Sequence, residues 1–164
     1  MPPMADVERR RIRVTGIVQG VGFRPFVYGV ALHQRLHGFV LNDGEGVLVE
    51  AEGPPGALDE LVRALREEAP PLARVDSVEA TSIVLTGEPG FAIRASVPTG
   101  ATALIPADVA TCDDCLRELF DPGDRRHRYP FTNCTQCGPR FTIVRGVPYD
   151  RALTTMAGFA LCAD

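Results

Sequence analysis

A glycine-rich segment that ends in an arginine lies near the N-terminus: Gly16-Ile17-Val18-Gln19-Gly20-Val21-Gly22-Phe23-Arg24. Glycines adopt backbone conformations that other residues resist, so a loop of this kind can turn several N–H groups inward around one anion. The guanidinium of Arg24 has the geometry to bind two phosphate oxygens at once. The segment therefore predicts chemistry on a phosphoryl group, although glycines alone would also suit a structural turn.

The cysteines predict a second kind of site. All five lie from Cys112 onward, and four of them form two C-x-x-C pairs, Cys112/Cys115 and Cys134/Cys137, that are 18 residues apart. Two such pairs provide four thiolates for one tetrahedral zinc ion. A redox C-x-x-C motif would leave the second pair unexplained. We expect a structural zinc, because four thiolates leave no open coordination position.

The fifth cysteine, Cys162, follows Cys137 after 24 residues, two residues before Asp164. It is predicted to belong to a second, incomplete metal site, whose next C-x-x-C ligand would fall at position 165. A lone surface cysteine is the alternative. The spacing also leaves open whether Cys112/Cys115 shares its metal with Cys134/Cys137 or with a pair beyond the sequence.

Hydrophobic periodicity predicts the elements that must position the loop. Strands are predicted over residues 11–18, 38–42, 47–52, 75–85 and 91–96, and helices over residues 25–37 and 57–68. The order β-α-β-β-α-β predicts an α+β, ferredoxin-like fold with two helices on one face of an antiparallel sheet. The loop then joins the first strand to the N-terminus of the first helix, whose dipole favours an anion. Gly38 is predicted to stop that helix.

The character of the chain changes near residue 97, where regular patterns give way to Cys, Pro, Asp and Arg. We therefore predict a first domain over residues 8–97, a linker over 98–106, and a zinc-finger region over 107–164.

Composition excludes several classes of protein. The net charge is -4, and the sequence has no basic stripe with aromatic residues, so we expect no nucleic-acid partner. The basic run Arg9-Arg10-Arg11 is interpreted as a solvated start of a strand. No stretch approaches the ~18 apolar residues of a membrane helix. An odd cysteine count without an apolar leader predicts a cytoplasmic protein without disulfides.

Two motifs make the first domain resemble the acylphosphatases over residues 9–96. The glycine-rich loop resembles the signature loop of that family. So does a second segment: Gly38-Phe39-Val40-Leu41-Asn42-Asp43-Gly44-Glu45-Gly46-Val47-Leu48-Val49-Glu50. The resemblance implies that Arg24 binds the substrate phosphate and that Asn42 positions the attacking water. It also implies a cradle of backbone amides from Gln19, Gly20, Val21, Gly22, Phe23 and Arg24.

The cysteine spacing behind such a domain resembles the HypF-type carbamoyltransferases of [NiFe]-hydrogenase maturation. Two runs support this resemblance: Gly22-Phe23-Arg24-Pro25-Phe26-Val27-Tyr28 and Arg128-Tyr129-Pro130-Phe131-Thr132-Asn133-Cys134-Thr135-Gln136-Cys137-Gly138-Pro139-Arg140-Phe141-Thr142-Ile143. The family implies that carbamoyl phosphate is the donor and that the first domain releases carbamate. Later domains, which we expect this N-terminal fragment to lack, would pass the carbamoyl group through an adenylate to a HypE-like acceptor. That group becomes a cyanide ligand of the hydrogenase iron.

The leading hypothesis is therefore hydrolysis of carbamoyl phosphate, or of acyl phosphates in general, by the first domain. The sequence also fits a module that binds phosphate without turnover and uses its zinc finger for docking.

Overall fold

The computed structural model describes residues 7–100 and 103–160. Its elements are β1 (Glu8–Ile17), α1 (Phe23–His33), β2 (His37–Asp43), β3 (Gly46–Gly53), α2 (Pro55–Glu67), β4 (Arg74–Ile83), β5 (Phe91–Ile93), α3 (Asp113–Phe120) and a short 3-10 helix (Arg151–Leu153). The predicted order β-α-β-β-α-β is confirmed, and the strand predicted over residues 91–96 is present as the shorter β5. Within the described ranges, no helix is long and apolar enough to cross a membrane.

The five strands form one sheet in the order β4-β1-β3-β2-β5. The first four are antiparallel to their neighbours, as predicted, whereas β5 pairs with β2 in parallel. The sheet is therefore mixed, because the chain crosses from β4 to the opposite edge and adds β5 along the free side of β2.

Both helices pack on one face of this sheet. Ile12 of β1 pairs with Val49 of β3, and Val49 pairs with Val40 of β2, so these three side chains share a face. Those residues form one buried cluster with residues from both helices: Val27, Ala31, Leu58, Leu61 and Leu65. The two-layer α+β fold is confirmed.

The arginine run at the start of β1 is not uniformly solvated. Arg9 is 5% exposed and donates from Nη2 to Glu50 Oε2 at 2.7 Å. Burial of Glu50 raises its pKa, but hydrogen bonds from Arg11 and Arg9 outweigh this effect and lower the pKa below its ordinary value. These residues form a charge-paired patch on the sheet face that lies away from the helices.

Gly38 does not stop the first helix, contrary to expectation. Helix α1 ends at His33, and Arg35 closes it in a left-handed conformation with φ of 55°. Leu36 N then donates to Ala31 O at 2.9 Å. Gly38 lies inside β2 instead, because a Cβ there would approach Glu50 O of β3 to 2.0 Å.

We expect Gly38→Ala to lower the free energy of unfolding by more than about 2 kcal/mol, because its φ of 128° and its contact with the backbone of β3 both exclude a side chain. Gly29→Ala is the matched control: a Cβ on this α1 residue meets nothing within 4 Å. That change should be neutral or stabilising by up to about 1 kcal/mol. Urea unfolding of both variants measures the difference, and equal stabilities would contradict this account of Gly38.

Candidate active site and metal centre

The glycine-rich loop is fixed by side chains that point into the core. Val18, Val21 and Phe23 are each at most 1% exposed. Gly20 and Gly22 have φ of 71° and 77°, values that suit glycine. Because its apolar side chains are buried, the loop presents backbone to a cavity of about 370 Å³ that these glycines help to line.

The side chain of Gln19 holds the loop in place. Its Nε2 donates to the carbonyl oxygens of Asp43 and Gly46 at 2.6 and 2.7 Å, and its Oε1 accepts from Tyr149 N at 2.7 Å. The buried amide therefore ties the loop to the β2–β3 turn and to the C-terminal module. Only the backbone of Gln19 remains available for an anion.

Arg24 lies in the first turn of α1, beside the loop. Its Nη2 donates to Asp150 Oδ1 at 2.8 Å and its Nη1 to Ser96 Oγ at 3.3 Å. Its side chain is 24% exposed and lines the cavity. The guanidinium has five N–H donors, so these two bonds leave others for a ligand.

Asn42 lies near the end of β2 and is 1% exposed. Its Nδ2 donates to Tyr149 O at 3.5 Å, while its buried Oδ1 has no hydrogen-bond partner among the residues that the structure describes. Leaving a buried acceptor unpaired costs about 1–3 kcal/mol. Asn42 lines the same cavity as Arg24, so the fold brings the two predicted residues together.

The four predicted cysteines also come together. Their Sγ atoms all lie within 4.8 Å of one another, with separations of 3.7 Å for Cys112–Cys134, 3.9 Å for Cys134–Cys137 and 3.7 Å for Cys115–Cys137. A regular tetrahedron with Zn–S bonds of about 2.3 Å has sulfur atoms about 3.8 Å apart. All four are free thiols. Cys162 lies outside the described residues.

Local structure explains how each pair converges. Helix α3 begins directly after Cys112, which places Cys115 within its first turn. In the second pair, Cys137 N donates to Cys134 O at 3.3 Å and closes a turn. Burial raises the pKa of Cys137, but hydrogen bonds from the backbone N–H groups of Cys112 and Cys134 outweigh it and lower the pKa to about 7. This favours the thiolate of Cys137, the form that binds metals, whereas burial raises the pKa of Cys115 and of Cys134.

The cysteine module, residues 107–160 as the structure describes it, packs directly on the glycine-rich loop. Arg140 is 2% exposed and donates from Nε to Gly20 O, from Nη1 to Gly138 O at 3.0 Å and from Nη2 to Thr135 O at 3.2 Å. The ring of Tyr149 lies against Gly20, where a Cβ would be 3.0 Å from Cδ1. The cavity is therefore walled by both modules.

Sequence reasoning did not predict Arg140, Tyr149 or Asp150 as site residues.

Burial raises the pKa of Tyr149, and the Asp108 carboxylate adds to the effect. Hydrogen bonds from the Thr142 hydroxyl and the Arg140 backbone lower the pKa of Asp108. Tyr149 therefore stays protonated and Asp108 stays ionised near neutral pH.

This arrangement defines the class of the protein as an acylphosphatase-type domain whose glycine-rich loop is covered by a four-cysteine finger. Comparison of the sequence with known families agrees. The chain belongs to the acylphosphatase family, which matches residues 10–93, and residues 111–144 match the HypF finger. An acylphosphatase of a Synechococcus species is 46% identical over 88 residues, which cover 53% of this chain and 74% of the relative.

Both modules together are similar to HypF proteins. The carbamoyltransferase HypF of Rhizobium leguminosarum bv. viciae is 54% identical over 153 residues, which cover 93% of this chain and 20% of that protein. A crystal structure of full-length HypF in the phosphate- and nucleotide-bound form superposes with a TM-score of 0.97 at 41% identity, over 99% of this chain and 22% of that one. The chain thus spans about a fifth of these relatives. The predicted resemblance to the N-terminal part of HypF-type carbamoyltransferases is confirmed.

Proposed function

We propose that the chain hydrolyses an acyl phosphate, with carbamoyl phosphate as the substrate, in the cavity between the phosphate loop and the finger. The observation that carries the proposal is the buried Oδ1 of Asn42, which lacks a partner among the described residues and shares its cavity with Arg24. The HypF relatives bear the name carbamoyltransferase, which supports the carbamoyl group as the acyl part.

The binding step uses the loop and Arg24. Backbone N–H groups of residues 19–24 and the N-terminus of α1 hold the phosphoryl oxygens, and the guanidinium of Arg24 adds charge-assisted hydrogen bonds. The related full-length HypF forms a complex with phosphate and nucleotide, which supports phosphate binding by proteins of this family.

The chemical step requires one oriented water. Asn42 Oδ1 accepts a hydrogen bond from this water, whose oxygen bonds to phosphorus while the bond between phosphorus and the acyl oxygen breaks. The electron pair stays on the leaving carboxylate, and the proton of the water goes to a phosphate oxygen. Carbamoyl phosphate and water thus give carbamate and dihydrogen phosphate. A carboxylate leaves readily, so positioning and charge stabilisation suffice without a general base.

The finger holds part of this cavity in place. We propose that zinc binds the thiolates of Cys112, Cys115, Cys134 and Cys137, whose sulfur separations suit a tetrahedral ion. When bound, zinc supplies a cross-link between the two C-x-x-C turns and no open coordination position. Arg140, three residues beyond Cys137, then carries this rigidity to the loop through its bond to Gly20 O.

At the level of the longer relatives, we propose that the carbamate serves carbamoyl transfer to a HypE-like acceptor by domains outside this chain. Their name supports this role.

We expect Asn42→Ala to lower kcat for carbamoyl phosphate about 100-fold, because the attacking water loses its acceptor. KM and the inhibition constant of inorganic phosphate should change by less than about threefold, since Asn42 does not hold the phosphoryl group. Phosphate release measures the rate. Asn133→Ala is the matched control, an asparagine on the same cavity whose Nδ2 bonds locally to Phe131 O at 3.3 Å; its kcat should stay within about twofold.

A wild-type chain that binds phosphate but releases none from any acyl phosphate would contradict the hydrolytic function and favour a binding module. An Asn42→Ala chain with normal kcat and raised KM would contradict the role in orienting water.

A further inference from the structure

A carboxylate from the finger lies inside the proposed anion site. Asp150 Oδ1 accepts from Arg24 Nη2 at 2.8 Å, and both side chains line the cavity with Asn42. The Asp150 side chain is 29% exposed, so the carboxylate keeps accessible surface on the cavity besides its bond to Arg24. A site that binds only a phosphoryl dianion has no use for this group, because two anions repel at short range.

Asp150 is held rigidly at this position. Its neighbour Tyr149 donates from its backbone N to Gln19 Oε1 at 2.7 Å, and the Tyr149 carbonyl accepts from Asn42 Nδ2 at 3.5 Å. The residue that orients the loop and the residue proposed to orient the water thus both hold the backbone beside Asp150. The carboxylate is therefore carried on a backbone that is tied both to the loop and to β2.

We infer that Asp150 is a specificity-determining residue whose Oδ2 accepts a hydrogen bond from the amino group of the carbamoyl moiety. The inference rests on the proposed function and names the acyl group that this site prefers. The phosphoryl group lies against the loop and Arg24, and the acyl group is attached to it through one oxygen. A carboxylate bonded to the same guanidinium is therefore within reach of that acyl group.

Acetyl phosphate is the informative competitor, because it has a methyl group where carbamoyl phosphate has an amino group. The amino group donates to Oδ2, whereas the methyl group leaves Oδ2 desolvated and unpaired. A site that is built to hydrogen-bond a substrate N–H rejects the analogue that lacks it far more strongly than an apolar pocket rejects a misfit. Asp150 lies outside residues 10–93, the part of the chain that matches the acylphosphatase family.

The test compares kcat/KM for carbamoyl phosphate and acetyl phosphate in the full zinc-loaded chain. We expect Asp150→Leu to lower the carbamoyl-to-acetyl ratio about 10- to 100-fold, the usual range for a lost hydrogen bond to a charged group. Asp150→Asn keeps an acceptor oxygen and should lower the ratio less. Zinc content and circular dichroism establish that each variant is folded. If Asp150→Leu is not folded, Asp150→Asn serves as the test.

Ser96→Ala is the matched control, because Ser96 contacts the same guanidinium from the first domain. It should affect both substrates equally and leave the ratio unchanged. If the folded Asp150 variants lose activity on both substrates equally, so that the carbamoyl-to-acetyl ratio of kcat/KM is unchanged, Asp150 only positions Arg24 and the inference is wrong. A wild-type chain inactive on both substrates would instead contradict the proposed function itself.

Discussion

Arg24→Ala is expected to lower kcat/KM for carbamoyl phosphate about 1000-fold, at the upper end of the effect of removing one preorganised donor. Its guanidinium is the charged group that lies beside the loop, at the N-terminus of α1, and points into the cavity. The loss should appear in KM and in kcat, because the same group binds the phosphoryl oxygens in the ground state and in the transition state. Steady-state phosphate release at several substrate concentrations separates the two.

Two further variants make this prediction specific. Arg24→Lys keeps the charge but loses the planar fork, so its activity should lie between those of wild type and Arg24→Ala. Removing Arg24 also leaves Asp150 without its partner, so Arg24→Ala/Asp150→Asn should recover part of the lost phosphate affinity.

The exposed Arg66 of α2, which bonds to Val78 O at 3.0 Å, provides a control outside the cavity. Arg66→Ala should have wild-type kinetics. An Arg24→Ala chain that keeps more than about a tenth of the activity would remove Arg24 from the mechanism.

The sequence predicted those parts of the site that depend on local spacing. Three glycines before an arginine, and a strand before a helix, are enough to indicate a phosphate loop, since all its parts lie within nine residues. The cysteine pairs are informative for a related reason. Each C-x-x-C is a single turn, so local sequence already brings its two cysteines together. Only the approach of one pair to the other depends on tertiary structure, and the structure places all four Sγ atoms within 4.8 Å of one another.

The contacts between the two modules were not predictable in this way. Arg24 and Asp150 are separated by 126 positions, and no pattern of hydrophobicity distinguishes Asp150 from a solvated aspartate in a finger. Arg140 is similar, because a buried arginine that bonds only to carbonyl oxygens has no acidic partner in the sequence to indicate it. These contacts form only when the cysteine module packs against the first domain.

The two errors in the fold have a common physical origin. Gly38 was interpreted from its neighbours as a helix stop, but the backbone of β3, more than ten residues later, is what excludes a side chain there. The pairing of β5 with β2 likewise depends on which sheet edge is left free. Local propensity describes neither effect, because both come from pairing between distant segments.

The placement of the finger changes what the acylphosphatase fold does here. Residues within 133–156 supply one side of the cavity and the first domain supplies the other. The first domain thereby gains a wall with a carboxylate, Asp150, and a buried cation, Arg140. The proposed selectivity and the proposed metal site then belong to the same module, so loss of the metal should affect both.

Loss of one zinc ligand is therefore expected to have the second large effect. Cys115 and Cys137 are buried, at 1% and 4% exposure, and structural zinc in small fingers contributes about 10–16 kcal/mol of folding free energy. Cys137→Ser should reduce bound zinc from about one ion per chain to near zero and unfold the finger. The first domain should remain folded, because its core cluster contains no finger residue. Metal analysis and hydrogen exchange of the two modules measure these outcomes.

The same variant connects the metal to catalysis. Without a folded finger, Asp150 and Tyr149 leave the cavity, so the carbamoyl-to-acetyl ratio of kcat/KM should fall toward that of Asp150→Leu while some hydrolysis of acetyl phosphate remains. Cys162→Ser is the control: four thiolates already complete a tetrahedral site, so zinc content and the ratio should be unchanged. A Cys137→Ser chain that lost its zinc but kept its carbamoyl preference would contradict the view that the finger forms part of the active site.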